Sequence, residues 1–280
     1  MSHSRPTFIG IGAGKAGTSW LYAILSQHPE VCMASAKETL FFEDNYARGW
    51  QWYAKFFQQC GSQPAVGEVS NTYIFNAQMP ARLHAFDPHL QLIATLRNPV
   101  DRAFSHYLFH YRNAQLEGSF EDAIAQYPDL IERGLYYRYL DAYLQYFQRD
   151  RLLLLLFDDL KADPVALARR VLTFLGVDPD WATPERVSQP RLPASKPRSK
   201  FLARTVKAAA RSVRNWGFPE IVTSVKTSPA VRWLYRPYAR QEYPQMAPEM
   251  RRQLNEYYRD DVRQLSQLVD RDLERLWLDR

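Results

Sequence analysis

A turn rich in glycine and containing one lysine lies near the start of the chain, between an apolar run and an amphipathic segment. The turn reads Gly12-Ala13-Gly14-Lys15-Ala16-Gly17-Thr18-Ser19. Glycines let the backbone approach a ligand closely, and the first N–H groups of a helix favour an anion. Lys15 adds a full positive charge. The turn therefore predicts a binding site for a phosphate-bearing ligand.

Two common nucleotide-binding patterns share part of this turn. The kinase-type phosphate loop requires glycine where this chain has Ile9 and serine or threonine where it has Ala16, so that loop is excluded. The dinucleotide pattern G-x-G-x-x-G is matched, and Glu38 follows about 20 residues later, where a ribose-binding acid is expected. Lys15 is unusual in such a turn, because backbone groups alone meet the pyrophosphate there. A nicotinamide-dependent, NAD(P)-using oxidoreductase stays open as an alternative.

A second candidate anion site follows the apolar run 90–96. Arg97 ends this run, Pro99 suits the first turn of a helix, and Ser105 follows two helical turns later. An arginine at a strand end and a serine on the next helix can converge on one phosphate through charge-assisted hydrogen bonds. Two separate sites suit a ligand with two phosphate groups. A dinucleotide oxidoreductase has no need of the second.

The elements that must position these residues alternate between strands and helices. Apolar runs predict strands at 8–12, 31–34, 65–69, 90–96 and 152–157. Helical periodicity occurs at 18–26, 50–59, 79–86, 100–115, 137–147, 164–175 and 248–268. This order predicts an α/β fold with a central parallel sheet flanked by helices. We expect a single domain over 1–280, with a core at about 6–176, a basic loop and helix at about 179–240 and a C-terminal helix at about 248–270.

Positive charge is concentrated in one part of the chain. The formal net charge is +6 over 280 residues, yet residues 190–240 contain 12 Lys and Arg against one acid. This segment, with a basic amphipathic pattern at 200–214, suits an acidic glycan or a membrane surface. A non-catalytic binder of either is a further alternative. No nucleic-acid partner is expected, and the oligomeric state is left open.

Cysteine usage and hydropathy predict the compartment. Cys32 and Cys60 are the two cysteines and lack metal-ligand spacing, so neither a disulfide framework nor a zinc site is expected. The longest aliphatic run, 152–156, is too short to cross a bilayer, and the N-terminus does not resemble a signal peptide. We therefore expect a soluble, cytoplasmic protein without a bound metal.

The two anion sites together resemble those of the sulfotransferases that use 3′-phosphoadenosine 5′-phosphosulfate (PAPS) and release 3′-phosphoadenosine 5′-phosphate (PAP). The resemblance implies a P-loop-like sulfotransferase fold. The residues implied in binding the 5′-phosphosulfate are Gly14, Lys15, Ala16, Gly17, Thr18 and Ser19. Trp20 would lie beside adenine, and Arg97 and Ser105 would bind the 3′-phosphate.

The segment Lys37-Glu38-Thr39-Leu40-Phe41-Phe42 resembles the Lys-Glu-x-x-Phe-Phe segment of the heparan-sulfate-type, carbohydrate-sulfating members. The resemblance implies that Glu38 is the catalytic base, which takes the proton of the acceptor as it attacks sulfur. Lys15 and Lys37 would stabilise charge on the bridging oxygen. Cytosolic small-molecule members use a histidine base, which leaves a histidine as the alternative to Glu38. His106 and His110 lie one helical turn apart beside the second candidate anion site, and His84 lies on a predicted surface helix.

The segment Gly67-Glu68-Val69-Ser70-Asn71-Thr72-Tyr73 resembles one that borders the acceptor cleft of the family. It departs from the family pattern at Val69, where relatives have Lys, and at Asn71, where they have Pro. The candidates for substrate binding are Phe42, Glu68, Ser70 and His106.

Two later segments are similar to parts of the nucleotide site. Tyr136, in Arg133-Gly134-Leu135-Tyr136, is expected to help hold the adenosine. Lys196 and Arg198 occupy the place of a late basic loop that contacts the 3′-phosphate, although the glycine-rich form of that loop is not reproduced. The function implied is in-line sulfuryl transfer from PAPS to a hydroxyl, or an amine, of a carbohydrate or other acceptor, without a metal.

Overall fold

The structure, a computed structural model, describes residues 5–113, 115–187, 195–197, 235–237 and 244–279. Five parallel strands form its central sheet, in the order β2-β3-β1-β4-β5. They are β1 (Phe8–Gly12), β2 (Val31–Met33), β3 (Ala65–Val69), β4 (Gln91–Leu96) and β5 (Leu152–Leu156). The predicted α/β fold with a central parallel sheet is confirmed.

Helices surround this sheet. The α-helices in the described part of the chain are α1 (Thr18–Leu25), α2 (Phe41–Asp44), α3 (Gly49–Ala54), α4 (Met79–Phe86), α5 (Pro99–Arg112), α6 (Phe120–Gln126), α7 (Asp129–Glu132), α8 (Tyr136–Leu144), α9 (Phe157–Ala162), α10 (Pro164–Leu175), α11 (Pro184–Val187) and α12 (Pro248–Val269). Short 3₁₀ turns occur at Tyr46–Arg48, Lys55–Phe57, Tyr73–Phe75, Arg149–Arg151 and Pro179–Trp181, and a π-helical turn at Glu274–Leu278. Two short antiparallel strands, β6 (Ser195–Pro197) and β7 (Tyr235–Pro237), pair with each other.

Largely apolar sequence explains why segments of the central sheet form buried strands. Every residue of β1, β3 and β5 is buried, as expected where helices cover both faces of a parallel sheet. Successive side chains point to opposite faces. Ile9 and Ile11 accordingly pack in one core cluster, whereas Phe8 packs in a second cluster on the other face.

Local sequence determines where the two helices nearest the candidate site begin. Asn98 caps α5, since its side-chain oxygen accepts a hydrogen bond from the Asp101 N–H at 3.1 Å. Pro99 follows in the first turn, where its missing N–H costs no hydrogen bond. Helix α1 begins after Gly17, whose φ of 110° lies in the left-handed region that favours glycine.

The strand order brings the two predicted anion sites together. Phe8 of β1 lies opposite Gly67 of β3 on one side and opposite Gln91 of β4 on the other. The loops that leave the carboxyl ends of β1 and β4 therefore meet at one edge of the sheet, where parallel α/β sheets bind ligands. The Gly-Lys loop leaves β1 at this edge, and Arg97 leaves β4 beside it.

Several element boundaries differ from the predictions. The helix predicted at 50–59 is divided into α3 and the 3₁₀ turn Lys55–Phe57. Helices α2, α6, α7 and α9 were not predicted, because they span four to seven residues, too few to display a helical period. The basic loop predicted from about residue 179 contains a 3₁₀ turn, α11 and β6 in its described part. The basic amphipathic helix predicted at 200–214 lies outside the described residues.

The two cysteines form a disulfide, although no disulfide framework was predicted from the sequence. The Cys32 and Cys60 sulfurs are 1.95 Å apart, and their Cα atoms are separated by 5.6 Å. Cys32 lies on edge strand β2, and the segment carrying Cys60 pairs with that edge through the Gln59 side chain, which donates to the Met33 carbonyl at 2.8 Å. A spacing of 28 residues carries no information about this packing.

Candidate active site

The Gly-Lys loop folds against the end of β3. The Gly14 N–H donates to the backbone oxygen of Asn71 at 2.9 Å. A side chain at Gly12 would place its Cβ 2.9 Å from the same oxygen, and Gly12 and Lys15 both have positive φ, of 125° and 73°. Glycine is therefore required at position 12 by close backbone approach. The first N–H groups of α1 leave this loop without acceptors inside the helix, as an anion site needs.

Lys15 lies in a strongly positive environment. Its ammonium lies 3.9 Å from the centre of the Phe109 ring on α5. Burial first, and then three nearby cations, lower the pKa of Lys15 from 10.5 to about 8. These cations are Arg112, Arg97 and Lys37. Such a concentration of positive charge is unfavourable in isolation and suits a polyanionic ligand.

Two clefts, of about 380 Å³ and about 480 Å³, lie among the described residues. The larger, which we name the Arg97 cleft, is lined by Arg97, Asp101, Phe104, Ser105, Leu108, Arg112, Pro244 and Gln245. Arg97 and Ser105, predicted as a pair, line it together. Arg112 was missed, although it lies seven residues, or two helical turns, beyond Ser105 and so on the same face of α5.

The Arg97 side chain is held beside the Gly-Lys loop with donor capacity to spare. Its Nη1 donates to the Lys15 carbonyl at 3.3 Å, and its guanidinium packs over the Phe157 ring at 4.9 Å. Its Nε is buried and has no hydrogen-bond partner among the described residues. A buried guanidinium N–H without an acceptor is costly, so the cleft fits an anionic ligand.

Tyr136 supports Arg97 from behind and does not line the cleft. Its side chain is fully buried, and its hydroxyl donates to the Arg97 carbonyl at 3.0 Å. Burial raises the pKa of Tyr136 to about 12. The predicted contact with adenosine is therefore corrected to a structural contact that fixes the end of β4.

Glu38 and Lys37 are connected to the Gly-Lys loop through Asn71. The Lys37 ammonium donates to the Ser19 hydroxyl at 3.1 Å and lies 3.4 Å from the Asn71 side-chain oxygen. The same oxygen accepts a hydrogen bond from the Thr18 hydroxyl at 2.6 Å. The Asn71 amide nitrogen donates to the Glu38 carboxylate. The candidate base and the candidate donor-binding loop thus belong to one hydrogen-bond network.

Three predicted substrate-binding residues are buried instead. Glu68 accepts hydrogen bonds from the hydroxyls of Thr39, Tyr53 and Tyr73 at 2.6, 2.8 and 3.1 Å and is fully inaccessible. Burial raises the pKa of Glu68, against these hydrogen bonds, which lower it. Glu68 therefore organises the core below the site and cannot contact a substrate directly.

The predicted contacts of Phe42 and Ser70 with a substrate are corrected for the same reason, because both side chains are buried. Phe42 is fully buried among aromatic rings, including Tyr73 and Phe86. Ser70 is also fully buried, and its oxygen accepts from the Thr72 N–H at 3.2 Å. Because both residues lie beneath the surface, their effect on a substrate is limited to supporting the residues above them.

His106 points toward a second histidine on α5. Its Nε2 lies 2.9 Å from the Nε2 of His110, and its Nδ1 is buried without a partner among the described residues. Burial and nearby positive charge, first from Arg102, lower the pKa of His106 to about 3. His106 is therefore neutral near pH 7 and is a weak proton acceptor.

The smaller cleft, which we name the Glu43 cleft, is lined by Glu43, Thr72, Phe75, Asn76, Ala77 and Arg133. Burial raises the pKa of Glu43, although the Thr72 hydroxyl, which donates to it at 2.8 Å, counteracts the shift. Glu38 is close enough to add a smaller upward shift to that pKa. The Glu43 cleft therefore lies near the candidate base and was not predicted, because α2 is too short to be recognised.

Three further residues, Trp20, Lys196 and Arg198, were predicted to bind the nucleotide, and the structure describes only part of this set. Trp20 is half-buried against the second core cluster, and its indole nitrogen has no partner among the described residues. The backbone of Lys196 belongs to β6, which lies alongside α5, the helix that carries Ser105. The side chain of Lys196 and all of Arg198 lie outside the described residues.

Comparison with known proteins decides the family. The family model of the sulfotransferase domain matches residues 5–268. The chain belongs to this sulfotransferase family. A solved sulfotransferase from Alicyclobacillus acidocaldarius superposes with a TM-score of 0.70 at 26% identity, covering 96% of this chain and 97% of that one. The expected sulfotransferase fold is therefore confirmed.

Curated relatives of this sulfotransferase domain are longer proteins. The membrane-associated sulfotransferase kil1 of Dictyostelium discoideum is 39% identical over 50% of this chain and 32% of its own length. The bifunctional heparan sulfate N-deacetylase/N-sulfotransferase 4 of Mus musculus is 29% identical over 95% of this chain and 30% of its own. Heparan sulfate glucosamine 3-O-sulfotransferase 6 of Homo sapiens is 31% identical over 61% of this chain and 52% of its own length. The chain thus spans one third to one half of these relatives.

The expectation of a cytoplasmic sulfotransferase is wrong. The relatives are a membrane-associated enzyme and enzymes named for heparan sulfate. The disulfide between Cys32 and Cys60 also disagrees with a reducing compartment. None of the helices that the structure describes is both long enough and apolar enough to span a bilayer.

Proposed function

We propose that this sulfotransferase takes its sulfuryl group from PAPS. The observation that carries the proposal is the buried Nε of Arg97, which lacks an acceptor in a cleft beside the Lys15 loop. PAPS supplies an activated sulfuryl group on its 5′-phosphate and a second anion at its 3′-phosphate. The spacing of two cationic sites at one sheet edge supports this donor over a ligand with one phosphate.

The residues divide between the two ends of the nucleotide. Lys15 and the first N–H groups of α1, from Gly17 to Ser19, would hold the 5′-phosphosulfate. Arg97 and Ser105 would hold the 3′-phosphate, and Arg112 joins them because it lines the same cleft. The nicotinamide alternative is disfavoured, since it leaves this second cationic cleft without a role.

Glu38 is proposed as the base that removes the acceptor proton. Its carboxylate is about one-third exposed and lies 4.0 Å from the Lys37 ammonium, which in turn contacts the Ser19 hydroxyl of the donor loop. A partly exposed carboxylate beside the donor loop can reach both the solvent-borne acceptor and the transferring group. Lys15 and Lys37 would stabilise the charge that develops on the bridging oxygen. The low pKa of His106 argues against His106 as the base.

The proposed acceptor is a carbohydrate hydroxyl or amine bound in the Glu43 cleft. The names of the heparan sulfate relatives support a carbohydrate. The cleft combines hydrogen-bonding groups on Glu43, Asn76 and Arg133 with the Phe75 ring, a composition that suits a polar ring-shaped ligand. Its proximity to Glu38 is consistent with delivery of an acceptor proton to that carboxylate.

The test is transfer of radiolabelled sulfuryl from PAPS to a panel of glycan acceptors, including N-deacetylated and N-sulfated heparan chains. Wild-type protein should label at least one acceptor. Glu38→Gln should lower the rate about 100-fold or more, because the base is lost without a change of shape. Asp44→Asn is the matched control, an exposed carboxylate at the end of α2, and should keep the wild-type rate. Full activity of Glu38→Gln would contradict the base assignment.

A further inference from the structure

The orientation of the Asn71 side chain is determined by the chemistry of its neighbours. An ammonium can only donate hydrogen bonds, so the atom facing Lys37 must be the amide oxygen. An ionised carboxylate can only accept them, so the atom facing Glu38 must be the amide nitrogen. The Thr18 hydroxyl, which donates to the oxygen at 2.6 Å, agrees with both assignments. One orientation of the amide therefore satisfies all three partners.

Asn71 also holds the donor loop through its main chain. Its backbone oxygen accepts the hydrogen bond from the Gly14 N–H at 2.9 Å. The space around this oxygen excludes any side chain at Gly12. The same residue thus fixes the loop with its carbonyl and contacts Glu38 with its amide, so the two are held at a constant separation.

We propose that Asn71 is a positioning residue that orients the Glu38 carboxylate relative to the donor loop. This inference rests on the proposed role of Glu38 as the base. The position departs from the family pattern, where proline would have no side-chain donor for the carboxylate. The Asn71 amide donates to one carboxylate oxygen of Glu38, Oε1. This hydrogen bond fixes the orientation of the carboxylate and leaves its second oxygen to accept the proton of the acceptor. In this chain the amide performs the positioning through hydrogen bonds that proline cannot form.

Asparagine is the residue type that this place requires. Alanine would remove both the donor to Glu38 and the acceptor for Thr18 and Lys37. Aspartate has nearly the same shape and would still accept from Lys37, but it would face Glu38 with a second negative charge and no donor. The two variants therefore separate a hydrogen-bonding role from a packing role, because aspartate preserves volume and alanine does not.

The experiment is a double-mutant cycle measured as single-turnover sulfuryl transfer from labelled PAPS at saturating acceptor. We expect Asn71→Ala to lower the wild-type rate by about 30-fold, the scale expected when a catalytic group is misplaced. The affinity for PAP should change by less than about threefold, because the main-chain contact to Gly14 remains. In the Glu38→Gln background, Asn71→Ala should lower the residual rate by less than about twofold.

The isosteric variant and a remote control complete the design. Asn71→Asp should transfer no faster than Asn71→Ala, despite keeping the volume of the side chain. Asn255→Ala removes a half-buried amide on α12 that donates to the Leu278 carbonyl, and it should keep the wild-type rate. If Asn71→Ala does not fold, the comparison of Asn71→Asp with wild type, alone and with Glu38→Gln, supplies the cycle.

The outcomes distinguish this inference from the proposed function. Equal fractional losses in the two Glu38 backgrounds would overturn the inference, because Asn71 would then act independently of Glu38. A wild-type rate for Asn71→Asp would overturn it as well. If Glu38→Gln itself kept the full rate, both the base assignment and this inference would fail. PAPS would nevertheless remain the donor in that case, since the measured transfer depends on it.

Discussion

The guanidinium Nη1 of Arg97 lies 3.3 Å from the main-chain oxygen of Lys15, and this contact joins the ends of two neighbouring strands. It follows from the strand order, in which β4 pairs directly with β1. The contact occupies one nitrogen of the guanidinium and leaves Nε without a partner among the described residues. The contact therefore holds the Arg97 side chain beside the Gly-Lys loop.

Replacement of Arg97 should weaken the binding of PAP more than the binding of a nucleotide without a 3′-phosphate. We expect Arg97→Ala to raise the Kd for PAP by about 30-fold, which corresponds to about 2 kcal/mol for a charge-assisted contact. Binding of AMP should change by less than about threefold. Arg252→Ala, which removes an exposed arginine paired with Glu249, is the control. Calorimetric titration gives both constants, and equal losses for PAP and AMP would contradict the assignment of Arg97.

Donor affinity should depend on the charge of Lys15. The pKa of Lys15 is lowered to about 8, first by burial and then by nearby cations, so the ammonium is present below that pH and is lost above it. We expect the Kd for PAP to rise several-fold between about pH 7 and about pH 9.5. Lys15→Arg keeps its charge over this range and should show a flat profile. A wild-type affinity that is constant to the upper pH would exclude Lys15 from the donor contact.

The disulfide should contribute measurably to stability. The bridge joins cysteines that are 28 residues apart in the sequence, and it therefore restricts the conformations of the unfolded chain. The double variant Cys32→Ala, Cys60→Ala should lose about 3 kcal/mol of unfolding free energy. Urea denaturation with and without reductant measures it: reductant should destabilise the wild type and leave the variant unchanged. Wild-type protein insensitive to reductant would indicate that the bridge does not form.

The buried carboxylate of Glu68 should be more important for folding than for contact with substrate. Glu68→Ala leaves three buried hydroxyl donors without their acceptor and should cost about 3 kcal/mol or more. Tyr53→Phe removes one of these hydrogen bonds without leaving a cavity and should cost about 1 kcal/mol. Thermal and urea unfolding compare the two. A loss of transfer by Glu68→Ala at unchanged stability would instead support a direct catalytic role.

The places of the Gly-Lys turn and of Arg97 in the fold could be predicted from the sequence because their signals are local. The Gly-Lys turn follows a strand, and Arg97 ends another, so each residue's place can be inferred from a short segment. Buried parallel strands appear as largely apolar runs, which is why β1 and β3 were predicted with their observed bounds. That the two strand ends are adjacent required the strand order, which no local pattern contains.

Other features of the site and the fold depended on tertiary contacts that the sequence does not display. Glu68 is charged yet buried, because hydroxyls from two other segments, including Tyr53, satisfy its oxygens. To place Arg112 in the Arg97 cleft, one must know which face of α5 points into that cleft. To place Glu43, one must recognise α2, a helix of only four residues. The pairing of Cys32 with Cys60 likewise depends on how the 3₁₀ turn Lys55–Phe57 and the residues after it pack against β2. Each of these features comes from packing between segments distant in the chain.

Calorimetric titration of the wild-type protein with PAP and with NAD tests the central claim most directly. The two ligands share an adenosine 5′-phosphate group, and PAP alone carries a 3′-phosphate for Arg97 and Ser105. We expect PAP to bind at least about 100-fold more tightly than NAD, a difference of about 2.7 kcal/mol. Binding of NAD as tight as that of PAP would contradict the assignment of PAPS as donor.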